Sequence, residues 1–113
     1  MPFDAAKSTA AVAEYLHVAT LDEIPPGERK IVTVGRREVA IFNVGGTLYA
    51  IENLCPHQGG PLGEGWLDGT LLTCPWHGWC FDVRDGAMTL GDFSTAETFE
   101  VRLDGRNVLV AIT

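Results

Sequence analysis

Two short motifs hold the residues of this chain that are best suited to bind a metal. They read Cys55-Pro-His57 and Cys74-Pro-Trp-His77, and sixteen residues separate them. Each motif supplies one thiolate sulfur and one imidazole nitrogen. Such mixed donors suit a late first-row metal ion or an iron–sulfur cluster. The sequence therefore predicts a metal centre built from Cys55, His57, Cys74 and His77.

Three kinds of chemistry could use these four side chains. A structural zinc ion accepts two cysteines and two histidines, but zinc fingers usually carry two ligands of one type on each arm, whereas each arm here mixes them. A nucleophilic Cys–His enzyme would use one pair and leave the other idle. A two-iron cluster uses both pairs, with thiolates on one iron and imidazoles on the other. The spacing favours the cluster over the zinc site and the enzyme.

Composition limits the partners of such a centre. The 113 residues predict one domain, and 46% hydrophobic with 20% charged residues is typical of a globular protein. Eight basic residues against fifteen acidic ones give a net charge of −7, which argues against nucleic-acid binding. No apolar run approaches the ~20 residues of a membrane helix, so no membrane partner is expected.

The cysteine count and the N-terminus indicate the compartment. Three cysteines are an odd number, which speaks against a disulfide framework and for a reducing environment. The first residues show no basic segment followed by an apolar core, so no secretory signal is visible. Together these features predict a cytoplasmic protein.

Short β-like runs separated by turn signals must position the two motifs. No stretch after residue 15 keeps the apolar period of a helix, so we predict an all-β domain, an antiparallel sandwich or small barrel. Residues 1–14 are interpreted as a flexible or short helical leader, and residues 15–113 as the domain. Within it, residues 53–84 are rich in turns, and only 70–73 and 81–83 resemble strands. The other predicted strands are 15–19, 29–34, 38–44, 47–52, 98–103 and 107–112.

The two motifs, in the segments CPHQGGPLGEG and CPWHGWCFD, resemble the Rieske [2Fe–2S] domain. The resemblance covers nearly the whole chain. It implies three antiparallel sheets and a small cluster-binding subdomain whose two loops lie at about 53–84. It also implies one Rieske [2Fe–2S] cluster per chain, with Cys55 and Cys74 on the buried ferric iron. The outer iron would be held by His57 and His77.

Departures from the respiratory-complex type of Rieske protein narrow the resemblance. That type carries a disulfide between the two loops, at the positions that hold Gly60 and Trp76 here. It also carries serine and tyrosine hydroxyls that donate to the cluster sulfurs, at positions that read Trp79 and Phe81. Fewer donors favour the oxidised cluster, so we expect a reduction potential of roughly −150 mV.

The pattern is most similar to the Rieske ferredoxins of bacterial aromatic-ring-hydroxylating oxygenase systems. This similarity implies an electron carrier rather than an enzyme, passing electrons from an NAD(P)H-dependent flavin reductase to a terminal oxygenase. We expect a monomer, because a shuttle must dock transiently. Two alternatives remain: the small Rieske subunit of an assimilatory nitrite reductase, and a zinc-stabilised interaction module without a redox role.

Several residues near the motifs carry further expectations. Leu62 is expected either to pack over the cluster and exclude water or to be an ordinary core leucine, and Cys80 is expected to be a buried, inert thiol. Trp76 and Trp79 are either core residues or part of an apolar docking rim. The segment 87–94 is expected to cover the cluster, although it lacks the proline common in related proteins. Solvated charge or an acidic docking face is expected for Asp82, Asp85 and Asp92.

Overall fold

A computed structural model describes residues 14–55, 60–76, 78–89 and 95–112. Residues 1–13, which make up almost all of the predicted leader, lie outside this range. Regular structure in the described part consists of strands and two short 3₁₀ turns, at Leu21–Glu23 and Leu62–Glu64. No helix in these ranges is long and apolar enough to cross a membrane.

In the described part of the chain, ten strands form three antiparallel sheets, which confirms the predicted all-β fold. The first sheet has the order β1-β10-β9, the second β2-β3-β4-β8, and the third β5-β6-β7. The strands are β1 Glu14–Thr20, β2 Arg29–Val34, β3 Arg37–Val44, β4 Thr47–Glu52, β5 Trp66–Asp68, β6 Leu71–Thr73, β7 Cys80–Asp82, β8 Thr98–Phe99, β9 Val101–Asp104 and β10 Asn107–Ile112.

The prediction of one strand over 98–103 is wrong, because the chain changes sheets at Glu100. Phe99 pairs with Ala50 in the second sheet, whereas Val101 pairs with Val110 in the first. Phe99 and Val101 nevertheless pack in the same apolar cluster between these sheets. The crossing lets both side chains reach one core while the backbone bonds to two layers.

The second sheet is the middle layer, and both of its faces are buried. Alternate residues of a strand point to opposite faces. In β3, Ala40 and Phe42 therefore face one cluster, while Val39 and Ile41 face the other. We call the first cluster the cysteine core; its buried members are Ala40, Phe42, Ile51, Cys55, Leu62, Leu72, Cys74, Phe81, Val83 and Ala96.

The third sheet carries the second motif on a hairpin. Strand β6 ends at Thr73, directly before Cys74, and β7 begins at Cys80. Leu72 and Phe81 pair across this hairpin and point into the cysteine core. The third sheet thus covers the middle sheet and brings Cys74 to the same core as Cys55.

Candidate metal centre

The fold brings the two predicted cysteine ligands into one buried cluster. Cys55 follows β4 and Cys74 follows β6, and both are buried in the cysteine core. All three cysteines lie in the described part of the chain, and none of them forms a disulfide. The predicted partners His57 and His77 lie outside the described residues. The structure therefore places the thiol half of the predicted ligand set.

The two loops that carry the cysteines are closed in the same way. The backbone N–H of Cys55 donates to the carbonyl of Gly60 at 2.8 Å, and that of Cys74 donates to the carbonyl of Trp79 at 2.7 Å. Each bond spans five residues from the cysteine. Gly78, with φ of 77°, also donates its N–H to the Cys74 carbonyl at 3.1 Å. Both thiols consequently project from equivalent positions in closed loops.

Gly60 and Trp76 join the two loops directly. A Cβ atom on Gly60 would lie 2.9 Å from Cγ and Cδ2 of the Trp76 indole, so only glycine leaves room for the ring. Neither position holds a cysteine, so no disulfide can join the loops here. An indole packed on a bare backbone holds the loops together at this point instead.

The two tryptophans of the second loop have different surroundings. Trp79 is half-buried and packs against the cysteine core. Trp76 keeps 53% of its surface exposed, although one part of its ring covers Gly60. Each tryptophan therefore fits a different one of the two predicted alternatives. Trp79 is a core residue, whereas Trp76 lies at the surface, where a docking rim would be.

Arg29 fixes the chain where it leaves the first loop. Its Nη1 donates to the carbonyls of Gly63 at 2.8 Å and Gly65 at 2.7 Å, although these residues follow it by more than thirty positions. Its guanidinium also lies 4.8 Å from the ring centre of Phe42, a cysteine-core residue. No sequence pattern singles out Arg29, because its hydrogen bonds go to backbone atoms that are distant in the sequence.

Asn53 holds the other end of the same loop. Its buried side-chain oxygen accepts a hydrogen bond from the Gly63 N–H at 2.5 Å, and its Nδ2 donates to a carboxylate oxygen of Glu38 at 3.0 Å. Its backbone N–H donates to the Glu38 carbonyl at 2.8 Å. The first loop, from Asn53 to Gly63, is thereby closed at its base by one amide side chain.

Two glycines let this segment pass close to neighbouring elements. A Cβ on Gly63 would lie 2.7 Å from Cβ of Ala40, and one on Gly65 would collide with the carbonyl oxygen of Thr73. The backbone therefore runs against the middle sheet at Gly63 and against β6 at Gly65. Larger residues would push the first loop away from the second.

Leu62 is buried, as both alternatives for it require, whereas the expectation for Cys80 is corrected. Leu62 is fully buried and packs in the cysteine core beside Cys55 and Cys74. Cys80, predicted to be buried, is only partly buried, and its Sγ lies 3.3 Å from Oγ1 of Thr73. The alternation along β7 explains this, because Phe81 occupies the inward position and Cys80 faces outward.

The acidic residues near the second loop differ in availability. Asp82 accepts hydrogen bonds from Nε and Nη2 of Arg84, the shortest at 2.6 Å, and these bonds hold the pKa of the Asp82 carboxyl below its usual value. Its charge is thus already matched. Asp85 is exposed and accepts a bond from the Ala87 N–H at 2.9 Å. Asp92 lies outside the described residues.

Part of the predicted cover of the centre is described. Met88 is half-buried against the cysteine core and forms an isolated β-bridge with Phe81. The Thr89 N–H donates to the carbonyl of Cys80 at 3.0 Å. Residues 90–94 lie outside the described part. The start of the segment 87–94 therefore does pack over the cysteine core.

The described half of the site fits an iron–sulfur cluster. Thiolates are the protein ligands that such clusters require, and an apolar surrounding that limits water access is one of the features that sets their potential. Cys55 and Cys74 supply two buried thiols from separate loops, with Leu62 and Phe81 beside them. The donor set accordingly matches the thiolate side of a cluster that has histidines on its second iron.

Comparison with known proteins agrees with this chemistry. A family model described as the Rieske [2Fe–2S] domain matches residues 14–110. The ferredoxin component of the naphthalene 1,2-dioxygenase system of Pseudomonas aeruginosa is 33% identical over 101 residues, covering 88% of this chain and 97% of that protein. The biphenyl dioxygenase ferredoxin subunit of Pseudomonas sp. (strain KKS102) is 36% identical over 98 residues, covering 85% of this chain and 90% of that protein.

Solved structures give the same result. The ferredoxin of carbazole 1,9a-dioxygenase from Nocardioides aromaticivorans IC177 superimposes with a TM-score of 0.81 at 36% identity, covering 88% of this chain and 98% of that one. A ferredoxin chain in a complex of reduced oxygenase and oxidised ferredoxin in carbazole 1,9a-dioxygenase gives a TM-score of 0.78 at 34% identity, covering 86% of this chain and 92% of that one. A nitrite reductase small subunit shares the fold alone, with a TM-score of 0.74 at 18% identity and coverage of 86% and 97%.

Proposed function

The chain belongs to the Rieske [2Fe–2S] domain family, and from this premise we propose that it is a ferredoxin of a ring-hydroxylating oxygenase system. It carries a Rieske [2Fe–2S] cluster and acts as an electron carrier, not as a catalytic enzyme. One observation supports this most strongly: two buried cysteines project from equivalently closed loops, in a chain that matches dioxygenase ferredoxins over nearly their whole length.

The ligand assignment is part of the proposal. Cys55 and Cys74 would hold the inner iron, and His57 and His77 the outer one. When bound, the cluster supplies a reversible one-electron couple. Leu62 and Phe81, both fully buried, limit the access of water to the thiolate side. Phe81 and Trp79 bring no hydroxyl group to the cluster sulfurs, which supports a potential of roughly −150 mV, the low end of the Rieske range.

The partners follow from the relatives. The solved complex of an oxygenase with its ferredoxin in carbazole 1,9a-dioxygenase supports a terminal oxygenase as the electron acceptor. A flavin reductase that oxidises NAD(P)H is the proposed donor. The absence of a disulfide among the three cysteines supports a cytoplasmic location. Family membership favours the cluster over the zinc-stabilised module, and the likeness to a nitrite reductase subunit extends only to the fold.

Metal content and spectroscopy of matched variants test the ligand assignment. Anaerobically purified protein should contain two irons and two acid-labile sulfides per chain, and should give a rhombic electron-spin signal after reduction. Cys55→Ser and Cys74→Ser should lose both elements, while Cys80→Ser, at the third cysteine, should retain them. His57→Asn and His77→Asn should lose the rhombic signal, and His17→Asn should keep it.

Electron delivery tests the carrier role separately. Chemically reduced protein should pass one electron to the oxygenase component of a naphthalene or carbazole dioxygenase system in a stopped-flow experiment. Stoichiometric zinc without iron would refute the cluster. An intact rhombic signal in both histidine variants would refute the ligand assignment. A loaded protein that does not reduce either oxygenase component, while a nitrite reductase partner accepts its electron, would refute the oxygenase system.

A further inference from the structure

We propose that the outer face of the third sheet is a docking surface for a positively charged electron-transfer protein, separate from the exposed Trp76 of the second loop. The proposal rests on the carrier function above. We call this surface the tryptophan face; it consists of Trp66, Asp68, Leu71, Thr73, Cys80 and Asp82. None of these residues was assigned a docking role by the sequence, except that an acidic face was considered at Asp82.

The strand register places these six side chains on one side of the sheet. Trp66 lies opposite Thr73, which lies opposite Cys80. One step along each strand, Leu67, Leu72 and Phe81 form the next row, and they pack in or against the cysteine core. The third row is Asp68, Leu71 and Asp82. Since successive residues alternate between faces, the first and third rows form the outer face.

Two large apolar side chains are exposed on this face. Trp66 has 68% of its surface exposed, more than any other large hydrophobic residue in the described ranges, and Leu71 has 41%. They sit diagonally on neighbouring strands, because the partner of Trp66 is two residues after Leu71. Diagonal neighbours are within reach of an aromatic side chain. Exposed tryptophans beside a second apolar residue are typical anchors of protein interfaces.

The charges around these anchors are predominantly negative. Two arginines lie near this face: Arg84 is engaged by the Asp82 carboxylate, and Arg29 by the carbonyls of Gly63 and Gly65. The carboxylates of Asp68 and of Glu64, just before β5, are exposed and have no ion-pair or hydrogen-bond partner among the described residues. The whole chain carries a net charge of −7. An apolar centre with an uncompensated acidic rim complements a protein that presents lysines or arginines around an apolar patch.

The tryptophan face also lies close to the proposed cluster. Thr73 is bonded directly to Cys74, and Trp66 is its cross-strand neighbour. Neighbouring Cα atoms are 3.8 Å apart along the chain and about 5 Å apart across strands, so the Trp66 backbone lies within roughly 10 Å of that of Cys74. A partner seated on this face would approach the thiolate side of the cluster.

Electron transfer to ferricytochrome c, a basic haem protein, tests the face. The reduced protein is mixed anaerobically with this probe at low and at high ionic strength. Trp66→Ser should lower the second-order rate constant roughly tenfold at low ionic strength, the size of effect expected for a moderate interface anchor. Asp68→Asn should lower it about twofold at low ionic strength and leave it unchanged at high ionic strength.

Matched controls lie on a different sheet. Leu103, 47% exposed, and the exposed Asp104 belong to β9 of the first sheet, so Leu103→Ser and Asp104→Asn remove equivalent groups elsewhere. Both should retain the wild-type rate. Equal losses of rate in the Trp66 and Leu103 variants would overturn the proposal. A loss of rate in Trp76→Ser with none in Trp66→Ser would also overturn it, because docking would then involve the second loop at Trp76.

Two further measurements separate this proposal from its premise. Iron, sulfide and reduction potential of each variant should equal those of the wild type, so that a slower rate reports docking. If the wild type holds no cluster, the carrier function fails; calorimetric titration with cytochrome c then tests the face alone, and binding weakened by Trp66→Ser supports it. A dimer that Trp66→Ser converts to a monomer in sedimentation would assign the face to self-association and overturn the proposal.

Discussion

Replacing Arg29 by methionine should loosen the first loop without touching a proposed ligand. Methionine keeps an unbranched apolar chain but removes the guanidinium that bonds the carbonyls of Gly63 and Gly65. Gly63 directly follows Leu62, and Gly65 comes two residues later; Leu62 packs in the same cluster as both cysteines. The substitution therefore acts on the support of the loop and not on its sulfur donor.

The expected cost can be worked out from the contacts. Gly63 and Gly65 are both buried, so each carbonyl loses its bond in a place with little water. A buried acceptor left without a partner costs about 1–3 kcal/mol. The lost contact with the Phe42 ring adds about 0.5–1 kcal/mol. If one of the two carbonyls forms a hydrogen bond with water instead, the loss of Arg29 should destabilise the Gly63–Gly65 segment by about 2–3 kcal/mol.

Release of iron to an anaerobic chelator is the assay. If the cluster is lost through local opening of the first loop, a 2–3 kcal/mol change should speed release by roughly 30- to 160-fold. Arg29→Lys, which keeps the charge but not the planar group that reaches both carbonyls, should fall between. Arg102→Met is the matched control, because Arg102 lies 4.1 Å over the Tyr15 ring in the first sheet, far along the chain from either loop. Equal release rates in Arg29→Met and Arg102→Met would refute the reasoning.

Two other substitutions test contacts near the centre. Gly60→Ala should destabilise the protein by about 1–3 kcal/mol in urea unfolding, because its Cβ meets the Trp76 ring, and the penalty should disappear in a Trp76→Ala background; a penalty unchanged in that background would contradict it. Asp82→Asn should cost about 1 kcal/mol at neutral pH. Because Arg84 lowers the folded-state pKa of Asp82, that contribution is present above the unfolded pKa of about 3.9 and is lost as the pH falls through the folded pKa. The free energies of unfolding of the wild type and of Asp82→Asn should therefore become equal in acid. A difference between them that stays constant at every pH would contradict the assignment.

The long strands were predictable because apolar and polar residues alternate along them and recognisable turn residues lie at their ends. β2, β4 and β10 begin and end where the sequence predicts. Gly45 and Gly46, both with positive φ, turn β3 into β4 as the pair of glycines indicates. β5 was missed because three residues are too few to show a period, and it becomes a strand only by pairing with β6. The chain passes from the second sheet to the first at Glu100, and no local sequence pattern indicates this change because it depends on how the two sheets pack.

The metal-binding residue types of the site could be predicted from the sequence, but the side chains that hold its loops in place could not. Cys55 and Cys74 were singled out as proposed ligands because sulfur donors are recognisable from residue type and spacing alone. Arg29 and Asn53 were not, because they act on backbone groups of a distant segment, and any arginine or asparagine looks alike in sequence. The burial predicted for Cys80 was wrong for a related reason. Whether a strand residue faces the core or the outer side of the sheet depends on the strand register, and a run of three residues does not determine that register.

The two cysteine loops, although closed alike, depend on different kinds of structure. The loop of Cys74 connects adjacent strands of one hairpin, so its ends are fixed by neighbouring residues of the chain. The loop of Cys55 leaves β4 and returns through a 3₁₀ turn, and its return is fixed by Asn53 and Arg29. Contacts over such separations are lost together when a segment opens locally. We therefore expect the first loop to open before the second, so that Arg29 on β2 should control how long the cluster is retained.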